Sequence, residues 1–233
     1  MTATDNPAAM PLRHRLVRRL IQLQVGLICY GISMALMIEA RLGLDPWDVF
    51  HQGVAKLTGV RFGLVVIATG ALVLLLWIPL RQRPGIGTVS NVIVIGLAVD
   101  AALAVLPAPH HLAARWGFLI GGIVLNGVAT GMYIGARLGP GPRDGLMTGL
   151  VARRPGLSIR LTRTAIEITV LAVGWLMGGT VGVATVLYAI SIGPLAHVFI
   201  PLFSVRPPAA ASQPAGTVSE LPATEAGVSP AAA

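Results

Sequence analysis

Apolar residues fall along this chain in long runs, not in stripes. Six runs cover Leu16–Ile38, Phe62–Leu80, Thr88–Leu106, Trp116–Ala136, Ala165–Met177 and Val181–Phe203. Most approach the ~20 residues that a helix needs to cross a ~30 Å hydrocarbon core. A helix in a water-soluble bundle would carry a polar face, and these runs have almost none. The pattern predicts an all-α, polytopic membrane protein of about six transmembrane helices. The fifth run is the shortest and contains Glu167.

Composition agrees. Only 11% of the 233 residues are charged and the mean hydropathy is +0.78, against about 25% charged residues in soluble domains. The +8 net charge would suit nucleic acid on a soluble domain. Here the basic residues punctuate the apolar runs, so the charge reads as topology and no nucleic-acid partner is expected. With six spans and the N-terminus inside, 13 of the 17 Lys and Arg fall on the cytoplasmic side; Arg41, Lys56, Arg61 and Arg115 fall outside. The positive-inside rule therefore favours cytoplasmic N- and C-termini. The first run is too long for a signal peptide and lacks a convincing small-residue cleavage site.

The chain also repeats itself. At an offset of 96, nine of 23 positions match between Gly31–Gly53 and Gly127–Gly149; at an offset of 97, six of 12 match between Gly85–Gly96 and Gly182–Gly193. The matches include Arg, Pro, Asp and Gly, which two unrelated apolar helices would not share by composition alone. This is an internal duplication. Repeat one is 16–106 and repeat two 116–203, inside a membrane domain at 16–206, between a cytoplasmic segment at 1–15 and a low-complexity tail at 207–233. Three spans per copy put the copies in opposite senses, the inverted topology of many transporters. A fourth crossing in each copy would make them parallel.

Both copies carry A-R-L-G-x-x-P-x-D, at Ala40–Asp48 and Ala136–Asp144. It reads as a helix stop followed by a restart. Gly43 and Gly139 suit the left-handed position past a helix end, with Arg41 and Arg137 near the negative end of the dipole. Pro46 and Pro142 suit the first turn of a new helix. Asp48 and Asp144 then lie where backbone N–H groups are free, and Asp45 is an N-cap candidate. The helices that follow, 46–58 and 142–152, are too short to span. Each is read as amphipathic in the interface or re-entrant as a half-helix. One reading of the motif is structural, with Arg41 pairing Asp48 and Arg137 pairing Asp144. The other is functional, because an interrupted helix at depth presents bare polar backbone to a solute. Arg41, Asp48, Arg137 and Asp144 are thus the candidate substrate-binding residues.

Glu39 and Asp100, within or beside spans, are candidate coupling or gating groups. Glu167 is placed to bond Arg163 at i−4. Asn91 and Asn126 read as interhelical glue, and Tyr188 stands at the repeat position of Asn91. Gly127, Gly131 and Gly135 form a G-x-x-x-G-x-x-x-G face suited to close helix packing, within one chain or in a homodimer. The single cysteine, Cys29, excludes an internal disulfide. No metal-ligand spacing, P-loop or nucleophile motif occurs, so no metal, cofactor or enzymatic activity is expected.

The A-R-L-G-x-x-P-x-D motif and the glycine-threonine span start at Gly85–Thr88 resemble the bacterial YczE/YitT-type family of integral membrane proteins, over roughly residues 16–203. The resemblance implies a plasma-membrane location. The second copy departs from the first at Gly141, Arg143 and Ala184, which makes any site asymmetric. The leading expectation is a transporter or channel for a small polar or amphipathic solute, embedded in the lipid bilayer, with its site between the repeats. The alternative is a non-transporting helper or sensor that binds a partner membrane protein.

Overall fold

A computed structural model describes residues 15–154 and 156–205. The expectations for the N-terminal segment before residue 15 and for the tail at 207–233 lie outside the described residues. The described chain is helical throughout: α1 (Leu16–Ala40), α2 (Pro46–Thr58), α3 (Phe62–Leu80), α4 (Ile86–Val105), α5 (Leu112–Gly135), α6 (Pro142–Arg153), α7 (Ile159–Leu176) and α8 (Val183–Phe203). Five of these, α1, α3, α4, α5 and α8, are long and apolar enough to cross a membrane. The fifth apolar run extends back to Ile159 as α7 and so takes in Arg160 and Arg163 beside Glu167. Arg163 Nε donates to Glu167 Oε1 at 2.9 Å.

The centre of the molecule is the α1–α5 pair, which runs antiparallel. Gly26 lies against Ala129 and Met132, whereas Ser33 and Met37 lie against Gly122. Each helix is capped by the start of the other. Arg19, 1% exposed, donates from Nε to the Ala136 carbonyl and from Nη2 to the Arg137 carbonyl, both at 2.8 Å. Arg115 donates likewise to the carbonyls of Ala40 at 2.8 Å and Arg41 at 2.6 Å. The last carbonyls of a helix have no partner within it, and a planar guanidinium can satisfy two at once.

The helix stop differs in detail from the sequence reading. Gly43 and Gly139 do take positive φ, 112° and 134°, but so do Arg41 and Arg137 themselves, both at 53°. A non-glycine residue there costs about 1–2 kcal/mol, and the capping arginines oppose that cost. A Cβ on Gly43 would meet the Gly182 backbone at 2.6 Å, and one on Gly139 would meet Thr88 Oγ1 at 2.7 Å. Backbone bonds cross at the same places, from Gly87 N to the Leu138 carbonyl and from Ala184 N to the Leu42 carbonyl, each 2.9 Å.

Around this centre, α4 packs on α1 and α8 on α5. Gly127, Gly131 and Gly135 face Leu195, Phe199 and Phe203, where an added Cβ would approach to 2.6–2.7 Å. The glycine face of α5 is therefore filled from within the chain. The short helices cross over: Phe50 and Gly53 of α2 pack on Gly174 of α7 and on Met177 at its C-terminal cap, and Gly145 and Gly149 of α6 pack on Trp77 and Leu80 of α3.

Replacing Arg19 with alanine strands one buried and one part-buried carbonyl. Hydrogen bonds from charged groups contribute about 1.5–3 kcal/mol, so Arg19→Ala should lower stability in detergent by about 2–3 kcal/mol. Chemical unfolding followed by tryptophan fluorescence measures this. An unchanged midpoint would mean that Arg19 does not hold the α5 terminus.

Candidate functional site

The chain turns back on itself after α1 and after α5. Arg41 is at the surface, yet Asp45, four residues on, is 3% exposed. Here α2 begins: Asp45 Oδ1 accepts from Trp47 N at 3.0 Å and Asp48 N at 3.3 Å, the N-cap that the sequence suggests, with Pro46 at the first helical position. The end of α2 lies beside the end of α7, where Lys56 Nζ donates to the Gly178 carbonyl at 2.7 Å and Thr180 N donates to Gln52 Oε1 at 2.7 Å. On the opposite face, α6 begins at Gly141–Pro142, whose carbonyl accepts from Trp77 Nε1 at 3.0 Å. Both short helices begin inside the bundle, α2 after the end of α1 and α6 after the end of α5, at opposite ends of that antiparallel pair.

Between these first turns lies a cavity of about 80 Å³. Tyr30 and Met34 of α1, Val66, Thr69, Gly70 and Val73 of α3, and Asn91, Val92 and Ile95 of α4 form its walls. Asp45, Trp47, Asp48 and His51 enter from α2, and Gly141, Pro142 and Arg143 from α6, with Tyr133 from α5. A single water needs about 10–15 Å³ by this kind of measure, so the space suits several waters or a solute of a few heavy atoms.

The lining is charged inside an otherwise apolar bundle. Asp48 Oδ1 contacts His51 Nδ1 at 3.2 Å, and Asp45 sits beside it at the start of α2, its Oδ1 accepting from the Asp48 backbone N–H at 3.3 Å. Burial pushes both carboxyls up from the usual aspartate range, and for Asp45 the neighbouring Asp48 charge adds to the shift. Burial also lowers His51, keeping the imidazole neutral. The Asp48–His51 contact is thus a hydrogen bond to a neutral ring. Arg143 Nη2 donates to Tyr30 Oη at 2.7 Å, and its guanidinium lies 6.0 Å from the Tyr30 ring centre. Two buried polar atoms of lining residues have no hydrogen-bond partner: Asp48 Oδ2 and Trp47 Nε1.

The structure does not bring the four substrate-binding candidates together. Asp48 lines the cavity. Asp144 lies beside it, its Oδ2 accepting from Tyr133 Oη at 2.9 Å. Arg41 and Arg137 remain at the surface, and neither the Arg41–Asp48 nor the Arg137–Asp144 pair forms. The inward turn of residues 41–45 separates them, and Arg41 meets Glu39 instead, at 3.9 Å. Glu39 is half-buried with Oε2 lacking a hydrogen bond and lies outside the cavity. Asp100 caps the start of α3, accepting from Gly63 N at 2.7 Å, with Arg61 4.0 Å away. Asn126 joins three helices through Ser33 at 2.9 Å and Tyr188 at 3.0 Å, whereas Asn91 is a cavity residue.

Sequence reasoning missed His51, Arg143, Tyr30 and Tyr133. His51 carried a signal, since it follows Asp48 by three positions on a helix and so shares its face. Arg143 carried another. A cation in the first turn of a helix opposes the dipole, so its placement there calls for a local reason. By position alone it reads as a cytoplasmic flanking charge.

A family model described as a family of unknown function, DUF6198, matches residues 17–201. An uncharacterised membrane protein of Bacillus subtilis, YczE, is 35% identical over 82% of this chain and 89% of its own length. The chain belongs to the YczE-type membrane protein family. An uncharacterised Haemophilus influenzae protein is 40% identical over 76% of this chain and 81% of its own. A second Bacillus subtilis protein, YyaS, is 25% identical over 76% of this chain and 90% of its own. No solved structure matches. YczE-type membership and the apolar helices together make this a membrane protein.

Two tryptophans separate packing from hydrogen bonding at the cavity. Trp77→Phe and Trp47→Phe remove similar volume, but only Trp77 Nε1 has a protein acceptor. Trp77→Phe should therefore cost about 1 kcal/mol more than Trp47→Phe, as read from unfolding midpoints. Equal losses would mean that the Trp47 indole N–H also has a protein partner.

Proposed function

We propose that this protein moves a small polar solute across the cell membrane through the cavity between α2 and α6, with its two halves acting as inverted repeats. The observation that carries the reading is the convergence of two half-helix first turns, from opposite faces, on a buried cavity lined by Asp45, Asp48, His51 and Arg143. Ionisable groups inside an apolar bundle are costly and mark solute or ion pathways. Interrupted helices at a repeat interface are the usual means of binding such solutes.

The inverted arrangement draws support from the contacts at the helix breaks. Arg19 stands to Ala136 and Arg137 as Arg115 stands to Ala40 and Arg41, and the two sets of positions differ by the offset of 96 read in the sequence. The antiparallel α1–α5 pair requires an odd number of crossings per half. In this proposal α7 is the sixth crossing, with its Arg163–Glu167 pair tolerated near one end, and both chain termini lie in the cytoplasm. A partner-binding helper would need a free glycine face, and on α5 that face is occupied by α8.

Uptake of small polar solutes by proteoliposomes, followed by light scattering, tests transport. Protein-dependent flux should fall at least about tenfold, the change worth about 1.4 kcal/mol of barrier, in Asp48→Asn and in the cavity-filling Thr69→Trp. Absence of flux under every gradient, in protein that is folded and monodisperse, would remove the transport reading. Topology is tested separately. In a Cys29→Ser background, impermeant maleimide should label Thr58→Cys and Arg154→Cys from opposite sides of the membrane. Labelling from the same side would make the repeats parallel.

A further inference from the structure

We infer that the Asp45–Asp48 carboxyl pair is a binding site for one monovalent cation, held either as a proton shared between the carboxyls or as a small ion that replaces it. This deepens the transport reading and rests on it for any role in a cycle; the binding itself needs no transport.

Four observations lead there. Both side chains sit at the start of α2 and line one cavity, with Asp45 3% and Asp48 2% exposed, so two full negative charges there would be expensive. Asp45 Oδ1 is already committed to the backbone N–H groups of Trp47 and Asp48, and Asp48 Oδ1 to His51. Asp48 Oδ2 is buried and no donor reaches it, and Asp48 lines the cavity. An anionic oxygen so placed must be supplied from the cavity. The cavity, at about 80 Å³, admits a small ion with a water or two but not a bulky one.

The surrounding groups set the charge at one cation. Arg143 of α6 is the permanent positive charge of the lining. From α1, α5 and α8 the neighbours are the neutral phenols Tyr30, Tyr133 and Tyr188, and from α2 it is His51, kept neutral by burial. Asp144 of α6 lies outside the lining, accepts from Tyr133 and also acts on the Arg143 charge, so Arg143 is not free to balance the pair alone. The cavity residues of α3 and α4 are uncharged. With one cation on the pair, a single negative charge of the pair faces Arg143. Without it, two carboxylate charges face one guanidinium already shared with Asp144, and the next cation to arrive is bound. The proton leaves as hydronium when a small ion takes its place, so charge balances across the exchange.

The asymmetry between the halves gives this site its sign. Gly141 stands where the first copy has Asp45, and Arg143 where it has Trp47. Only α2 can build a carboxyl pair, and only α6 brings a fixed cation to face it.

Infrared difference spectroscopy on the detergent-purified full chain tests the site without any transport. Lowering the pH from alkaline values to about 6, above the ordinary carboxylate range of about 4, should produce one carboxylic-acid C=O band. Its midpoint should fall by about one pH unit or more in Asp45→Asn and in Asp48→Asn, because each loses the like charge that raised it. Asp100→Asn, away from the cavity, should leave it unchanged. At fixed pH, sodium, potassium and ammonium chlorides are then compared with choline chloride. Loss of the band with one of the small ions identifies that ion as the exchanging cation, and no loss with any identifies the proton as the sole occupant. A wild type with no carboxyl band titrating above about pH 6, or such a band indifferent to both Asn substitutions, would overturn the inference even if solute flux were observed. An absence of flux would leave the band intact.

Discussion

Inside an apolar bundle, every backbone N–H and C=O needs a partner, and an interrupted helix leaves several without one. This fold interrupts helices twice, after Ala40 and after Ala136, and the rest of the architecture follows from how those ends are satisfied. On the C-terminal side of each break, an arginine from the start of the opposite central helix takes two carbonyls. The Leu42 and Leu138 carbonyls are then used by the first residues of α8 and α4. These bonds fix the antiparallel setting of α1 and α5 and place α4 and α8 against them.

On the restart side, the needs are different. A new helix exposes N–H groups with a partial positive charge, and in α2 the Asp45 carboxylate answers two of them. The same turn carries Asp48 and His51 into the interior. In α6 the equivalent cap is missing, since Gly141 has no side chain to offer, and Arg143 enters the cavity from that turn instead. Because the two half-helices meet from opposite faces, what one break leaves acidic the other faces with a cation. The site is a product of two breaks and exists in neither alone.

Much of this fold was legible in the sequence. The Phe62–Leu80 run and the short helix at 46–58 match α3 and α2 end to end, because uninterrupted apolar runs and Pro-started amphipathic turns are local signals. The cavity was only half legible. Asp48 is legible through the repeated motif, yet the motif pairs it with Arg41, and Asp144 with Arg137, each a neighbour in sequence. The chain reverses direction between Arg41 and Asp45, and no local pattern reports such a reversal. Arg19 and Arg115 illustrate the same limit. As basic residues flanking spans they look like topology signals, and only the tertiary pairing of α1 with α5 turns them into caps. Asp100 was read as an intramembrane carboxylate with a coupling role, whereas it answers the first turn of α3, a helix distant from it in sequence.

The account stands on solute binding at the cavity between the half-helices rather than at the surface arginines of the motif. A thermal-shift screen against monovalent cations and small polar metabolites, run on wild type, Asp48→Asn and Arg41→Ala, separates the two most directly. A ligand at a hundred times its dissociation constant raises stability by about 2.7 kcal/mol. The account predicts a stabilising ligand whose effect disappears in Asp48→Asn and survives in Arg41→Ala. A ligand that still stabilises Asp48→Asn but no longer stabilises Arg41→Ala would contradict it.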